Sequence, residues 1–166
     1  YMLLCIDSGN TNIVFAIFDD EDKLQNQWRI SSNANRTADE FGILLGHLIS
    51  LSNVTVADIT ACIIASVVPA SLYSLKSLCR DYFRFEPQVI GEAKIDLGIE
   101  VLVERPEEVG ADRLVNAVSA YKTYEGPMII IDFGTATTFD VINVHGSYIG
   151  GIIAPGVNLS IEALHM

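Results

Sequence analysis

Asp7-Ser8-Gly9-Asn10-Thr11 and Asp132-Phe133-Gly134-Thr135-Ala136-Thr137 each set a carboxylate, a glycine and one or more hydroxyls within a short span, and each follows an apolar run. Glycine lets the backbone turn tightly and aim N–H groups at an anion. A carboxylate beside bare phosphate is repulsive unless a cation lies between them. Mg²⁺, held by one or two carboxylates together with phosphate oxygens, is the usual mediator, and Asp7 is the candidate to hold it through phosphate. Thr11, Thr135, Thr137 and Thr138 can donate hydroxyl hydrogen bonds to phosphate oxygens. Taken alone, either copy also reads as an ordinary hairpin with Asp and Gly as turn formers. Their duplication points to a phosphate site built from two related lobes.

A second group of polar residues is Gly110-Ala111-Asp112-Arg113, in a stretch from Pro106 that reads as the opening of a long helix to about Tyr124. Glu107 and Glu108 suit a first helical turn through the helix dipole. Asp112 and Arg113 are neighbours in sequence, so their side chains diverge on a helix and need not pair. They offer a carboxylate for proton abstraction and a guanidinium for an anionic group; a plain polar helix start is the other reading. Further on, Gly150-Gly151-Ile152-Ile153-Ala154-Pro155-Gly156 allows close backbone approach or is a simple strand-to-helix loop. Neither G-x-x-x-x-G-K-[ST] nor G-x-G-x-x-G occurs, which removes the P-loop and dinucleotide-binding alternatives.

The elements that must carry these residues alternate in the manner of an α/β chain. Leu3–Ile6 and Met128–Ile131 are buried strands leading into the two turns, and Ile13–Phe18 and Thr138–Ile142 return from them, so both copies are hairpins. Leu24–Ile30 adds a third, outer strand. Ala38–Leu51 is a helix with Thr37 as N-cap and Glu40 as its capping-box partner. Ala61–Val68 is a fully apolar strand stopped by Pro69, Ser71–Phe83 a helix, and Gln88–Ile90 a further strand. An extended stretch from Ile95 to Val103 precedes the long helix, and a last helix begins at Val157.

Half of the 166 residues are hydrophobic, enough for a packed core. Acidic residues outnumber basic ones 21 to 10, for a net charge of −11. Phosphate backbones are held mainly by Lys and Arg, so neither a nucleic-acid nor a membrane partner is expected. With no secretory pattern and no apolar run of bilayer length, a cytoplasmic location is expected. Cys5, Cys62 and Cys79 read as reduced, buried side chains, and the scattered His47, His145 and His165 make no zinc pattern.

The βββαβαβ order of the first part is that of a ribonuclease-H-like lobe of the actin-like ATPase and sugar-kinase architecture, which binds ATP with two such lobes. Asp7 to Asn12, Gly110 to Arg113, Asp132 to Asp140 and Gly150 to Gly156 resemble, in order and spacing, the motifs of type III pantothenate kinase. The resemblance implies phosphorylation of pantothenate to 4′-phosphopantothenate with ATP and Mg²⁺, the first step of coenzyme A synthesis, by a homodimer. It implies an ATP-phosphate turn of Asp7, Ser8, Gly9, Asn10, Thr11, Asn12, Ile13 and Val14. Gly110, Ala111, Asp112 and Arg113 would bind pantothenate, with Asp112 as general base. Asp132 would hold a monovalent cation, K⁺ or NH₄⁺, and Thr135 would contact ATP. Val103 stands where members often carry a tyrosine and would shape the substrate pocket differently. A non-catalytic regulatory or accessory relative with the same fold is the rival. The resemblance divides the chain at 1–115, the first lobe with the start of the interlobe helix, and 116–166, the helix with part of the second lobe. It also implies a second lobe truncated at the C-terminus, so that the 166-residue chain alone is expected not to turn over substrate.

Overall fold

The computed structural model describes residues 1–92 and 95–165. The chain forms two compact units, Tyr1–Ile95 and Asp96–Met166. The expected division at 115/116 runs through a helix that packs as one piece in the second unit. Met166, the last residue of the expected second domain, lies outside the described residues.

In the first unit, β1 (Met2–Ser8), β2 (Asn12–Asp19) and β3 (Leu24–Ser31) form an antiparallel meander, and β4 (Ile59–Ser66) and the short β5 (Gln88–Val89) add in parallel. The sheet order is β3-β2-β1-β4-β5. Alternate residues Leu4 and Ile6 of β1 and Ile13, Phe15 and Ile17 of β2 point into the core, as period-two burial requires. There they meet α1 (Ala38–Ser50) through Phe41, Leu45 and Ile49, and α2 (Pro69–Leu78) through Leu75 and Leu78. Phe15 and Phe41 make an edge-on ring pair with centroids 6.2 Å apart.

The capping box at α1 is present: the Thr37 hydroxyl accepts from Glu40 N, and the Glu40 carboxylate accepts from Thr37 N at 2.7 Å. The second helix differs from expectation. Pro69 sits in its first turn, where a missing N–H costs nothing, and a π-helical turn over Cys79–Phe83 replaces its expected end before Arg84 turns left-handed. All three cysteines are free; burial raises the Cys5 thiol pKa, and contact with Cys79 followed by burial raises that of Cys62.

In the second unit, β6 (Met128–Phe133), β7 (Ala136–Ile142) and β8 (Tyr148–Pro155) form an antiparallel sheet in chain order. The helix α3 (Ala111–Tyr124) packs on β6 and β7, and α4 (Val157–His165) follows β8. Ala117, Ile142 and Tyr148 are the buried centre, with Val101, Val103, Val109, Tyr121 and Ile130 packed around them. The expected single helix from Pro106 is broken. A 3₁₀ turn covers Pro106–Glu108, Val109 is extended, and α3 starts only after Gly110. The stretch before it is tied to β8 by one parallel bridge, Val101 to Tyr148. Ile129, Phe139, Val141, Ile149 and Ile152 line an open apolar cleft of about 420 Å³ on the sheet. Among the described residues, no helix is long and apolar enough to cross a membrane.

Candidate functional site

The first turn is built at the end of β1. Asp7 is exposed and pairs in register with Val14, while Ser8 is fully buried. Gly9 N donates to Asn12 O at 3.0 Å, and an added Cβ at Gly9 would come within 3.2 Å of that same oxygen. Ser32, just past β3, fixes the turn from the side: its hydroxyl donates to Gly9 O and its N–H to Thr11 O. Val67 N holds Ser8 O at 3.1 Å, so the strand end is tied to the segment leaving β4. Asn10, Thr11 and Asn12 are exposed at the tip, whereas the Ile13 side chain is in the core and has only its backbone to offer a ligand.

The second turn, between β6 and β7, is one residue shorter. Gly134 N donates to Ala136 O at 3.0 Å, and Asp132 and Thr135 are exposed. Gly156 closes on the turn so tightly that a Cβ there would lie 2.2 Å from Thr135 O. That approach explains a glycine between β8 and α4. Asp132 receives a hydrogen bond at 3.1 Å from the Asn116 amide on α3. Among the described residues, no group of three or more His, Cys, Asp or Glu side chains could hold a metal. A cation at either turn would therefore draw most of its oxygens from phosphate, backbone and water, a donor set suited to Mg²⁺ or a monovalent ion.

Asp112 and Arg113 stand in the first turn of α3. The Asp112 carboxylate accepts from Arg113 N at 2.8 Å, which occupies an N–H that has no partner within the helix. The Arg113 side chain runs the other way. Its Nε and Nη2 both reach Oδ1 of Asp140 at 2.7 Å, and Nη2 also donates to Phe139 O at 3.3 Å. Asp140 is fully buried in β7, on the face that also carries Ile142. The Tyr148 hydroxyl donates to the same Oδ1 at 2.6 Å, and Thr138 adds a longer contact at 3.4 Å. Burial first, and the bond to Asp140 second, raise the Tyr148 phenol above the usual tyrosine range, which keeps it a hydrogen-bond donor. Arg113 then lines an open cleft of about 390 Å³ with Val103, Val109, Tyr148, Gly150 and Gly151, rimmed by Glu104, Arg105 and Glu108.

A family model described as type III pantothenate kinase matches residues 3–166. The chain belongs to the type III pantothenate kinase family. A type III pantothenate kinase from Paramagnetospirillum magneticum is 61% identical over 99% of this chain and 63% of its own length. One from Rhodospirillum rubrum is 62% identical over 99% of this chain and 64% of its own length. The chain thus spans less than two thirds of the curated relatives it matches. Two solved structures share the actin-like ATPase and sugar-kinase fold. A putative 2-dehydro-3-deoxygalactonokinase from Sinorhizobium meliloti has a TM-score of 0.58 at 15% identity, covering 99% of this chain and 57% of that one. The ethanolamine utilization protein EutJ from Carboxydothermus hydrogenoformans has a TM-score of 0.56 at 14% identity, covering 99% and 56%. Both expectations, the family and the α/β actin-like fold, are borne out.

Within the second unit, the family motifs gather around α3: Gly110 to Arg113 at its start, Asp132 beside Asn116 one turn on, and Val103 on the wall of the Arg113 cleft. Asp7 to Val14 lie in the first unit. Asn116, Tyr148 and Asp140 join the site only through the fold. A carboxylate at an inward position of an apolar strand is itself a signal, because a buried charge needs a partner.

Proposed function

We propose that the full-length protein transfers the γ-phosphoryl group of ATP to the primary hydroxyl of pantothenate. The observation that carries this reading is the Asp112–Arg113 pair at the start of α3, with the guanidinium lining a cleft of small-molecule size, in a chain of this family. Asp112 takes the hydroxyl proton as that oxygen bonds to the γ-phosphorus, and ADP leaves with the electrons of the broken P–O bond. Gly110, Ala111 and Val103 contribute to the substrate wall beside Arg113. Asn10 to Asn12 offer turn N–H groups to the phosphates, Ser8, Gly9, Ile13 and Val14 set the hairpin that presents them, and Thr135 adds a hydroxyl from the second turn. Mg²⁺ near Asp7 and a K⁺ or NH₄⁺ ion at Asp132 would supply the positive charge that a chain of −11 lacks. Retention of both turn aspartates together with Gly110 to Arg113 favours an enzyme over a non-catalytic relative, since a scaffold needs no carboxylate beside phosphate. The active species in this reading is a cytoplasmic homodimer.

A coupled ADP-release assay on the full-length protein tests it. ADP release that depends on added pantothenate is expected. Release indifferent to pantothenate, or none with any ATP and cation supplied, would refute it, and sedimentation of the same sample tests the dimer.

A further inference from the structure

Three polar contacts hold the Arg113 side chain, and the groups that make them are not its sequence neighbours. Two N–H groups on one edge of its guanidinium meet a single carboxylate oxygen of Asp140, which has no exposure to water. That oxygen also takes the Tyr148 hydroxyl, whose ring lies with its centroid 6.0 Å from the guanidinium carbon. Phe139 O adds a backbone acceptor on the same edge. Room for this arrangement comes from Gly151. A Cβ there would stand 2.2 Å from Arg113 Nη2, 2.3 Å from Phe139 O and 2.9 Å from Asp140 Oδ1.

Two features separate this cluster from an ordinary surface ion pair. A buried carboxylate is costly unless paired and fully hydrogen-bonded, and this one is served by Arg113, Tyr148 and Thr138. The pairing also uses only one edge of the guanidinium. Its Nη1 group has no hydrogen-bond acceptor among the described residues, and the side chain keeps 13% exposure where it lines the cleft. A planar guanidinium held along one edge presents the other at a fixed angle, which a flexible arginine does only at an entropic cost.

We infer that Asp140 and Tyr148 are positioning residues that lock Arg113 with its Nη1 edge toward the bound substrate, and that Gly151 is kept small to admit the locked guanidinium. The inference deepens the pantothenate-kinase reading and rests on it. Asp140 has no exposure and acts only through Arg113; Tyr148, whose ring lines the cleft, commits its hydroxyl to Asp140 and acts by the same route.

The test uses the full-length protein with Asp140→Asn, Tyr148→Phe and Gly151→Ala. Asp140→Asn is expected to raise KM for pantothenate roughly tenfold or more, the scale of a lost charge-assisted hydrogen bond, with KM for ATP little changed. Tyr148→Phe leaves the ion pair in place and should move the same constant in the same direction by less, so it carries the test if Asp140→Asn does not fold. Gly151→Ala should act like Asp140→Asn. A purely structural role would lower kcat through loss of active protein and leave both KM values alone; that pattern overturns the inference. Exchange of the Arg113 Nε proton, followed by NMR, reads the lock without any turnover. It should be slow in the wild type and fast in Asp140→Asn, and equal rates in the two would also overturn the inference. A wild type that holds this proton but shows no pantothenate-dependent ADP release would instead sink the kinase reading.

Discussion

Replacing Asp112 by asparagine separates its proposed chemistry from its place in the helix. The Asp112 carboxylate accepts from Arg113 N at 2.8 Å, and an asparagine amide oxygen can take the same bond at the same reach. The substitution therefore keeps the first turn of α3 and the course of Arg113 to Asp140. What it removes is a negative charge at a helix N-terminus, worth ~0.3–1 kcal/mol, and a proton acceptor. For a chain of the relatives' size, the first loss lowers Tm by about 4 °C at most. Losing a general base costs ~10²–10⁴ in rate, or roughly 3–5 kcal/mol of barrier. The two effects are far enough apart to be told from each other in one protein. Thermal melts, ATP binding by calorimetry and kcat from coupled ADP release should give a nearly unchanged fold, unchanged ATP affinity and a kcat down at least a hundredfold. A kcat within a few-fold of wild type would refute the role of Asp112. A collapse of Tm would show that the carboxylate is chiefly structural.

Exchanging K⁺ for Na⁺ at constant Mg²⁺ and ionic strength should depress kinase activity if Asp132 serves a monovalent ion; indifference to the swap removes that role. Glu40 has its carboxyl pKa lowered, chiefly by the Thr37 N–H and then by the Thr37 hydroxyl. A depressed folded-state pKa gives stability that is present above the unfolded value of about 4.3 and lost as pH falls through the folded one. Denaturant midpoints of wild type and Glu40→Gln should therefore differ near neutral pH and converge in acid, and a gap that widens on acidification would contradict the capping box. The 166-residue chain expressed by itself exposes Ile129, Phe133, Ile152, Ile153 and Leu164, so it should self-associate. Light scattering checks this, and a well-behaved monomer with kinase activity would be the contrary result.

Features set by a few neighbouring residues were legible in the sequence. The two hairpins and the Thr37–Glu40 box follow from local chemistry, whereas the continuous apolar runs Leu3–Ile6 and Ile13–Phe18 mark buried strands without saying that Leu4, Ile6, Phe15 and Ile17 face the core. Helix boundaries were less so. Pro69 reads as a strand stop and is equally a helix start, and the break at Val109 and Gly110 lies inside a stretch whose composition suits a continuous helix. At the site, the motif residues could be named but not their restraints. Arg113 meets Asp140 only because β7 pairs with β8 in a register that brings Asp140 opposite Gly151, while α3 crosses that strand at its first turn. Such a meeting depends on the stacking of separate elements, which no short window of sequence contains.

The helix α3 is fastened to its sheet at two points less than one turn apart, Arg113 to Asp140 on β7 and Asn116 to Asp132 on β6. Each residue inserted in a helix swings everything beyond it by about 100°. A single insertion or deletion between Arg113 and Asn116 would thus free one anchor whichever way the helix settled, and would carry either the proposed base or the proposed cation carboxylate out of its setting. Substitutions along this turn can be absorbed one at a time, but its length cannot drift. The connection joining β7 to β8 is fixed in length as well: Asn143 Oδ1 takes the N–H groups of His145 and Ser147, and a Cβ at Gly146 would stand 2.4 Å from the Tyr121 ring on α3.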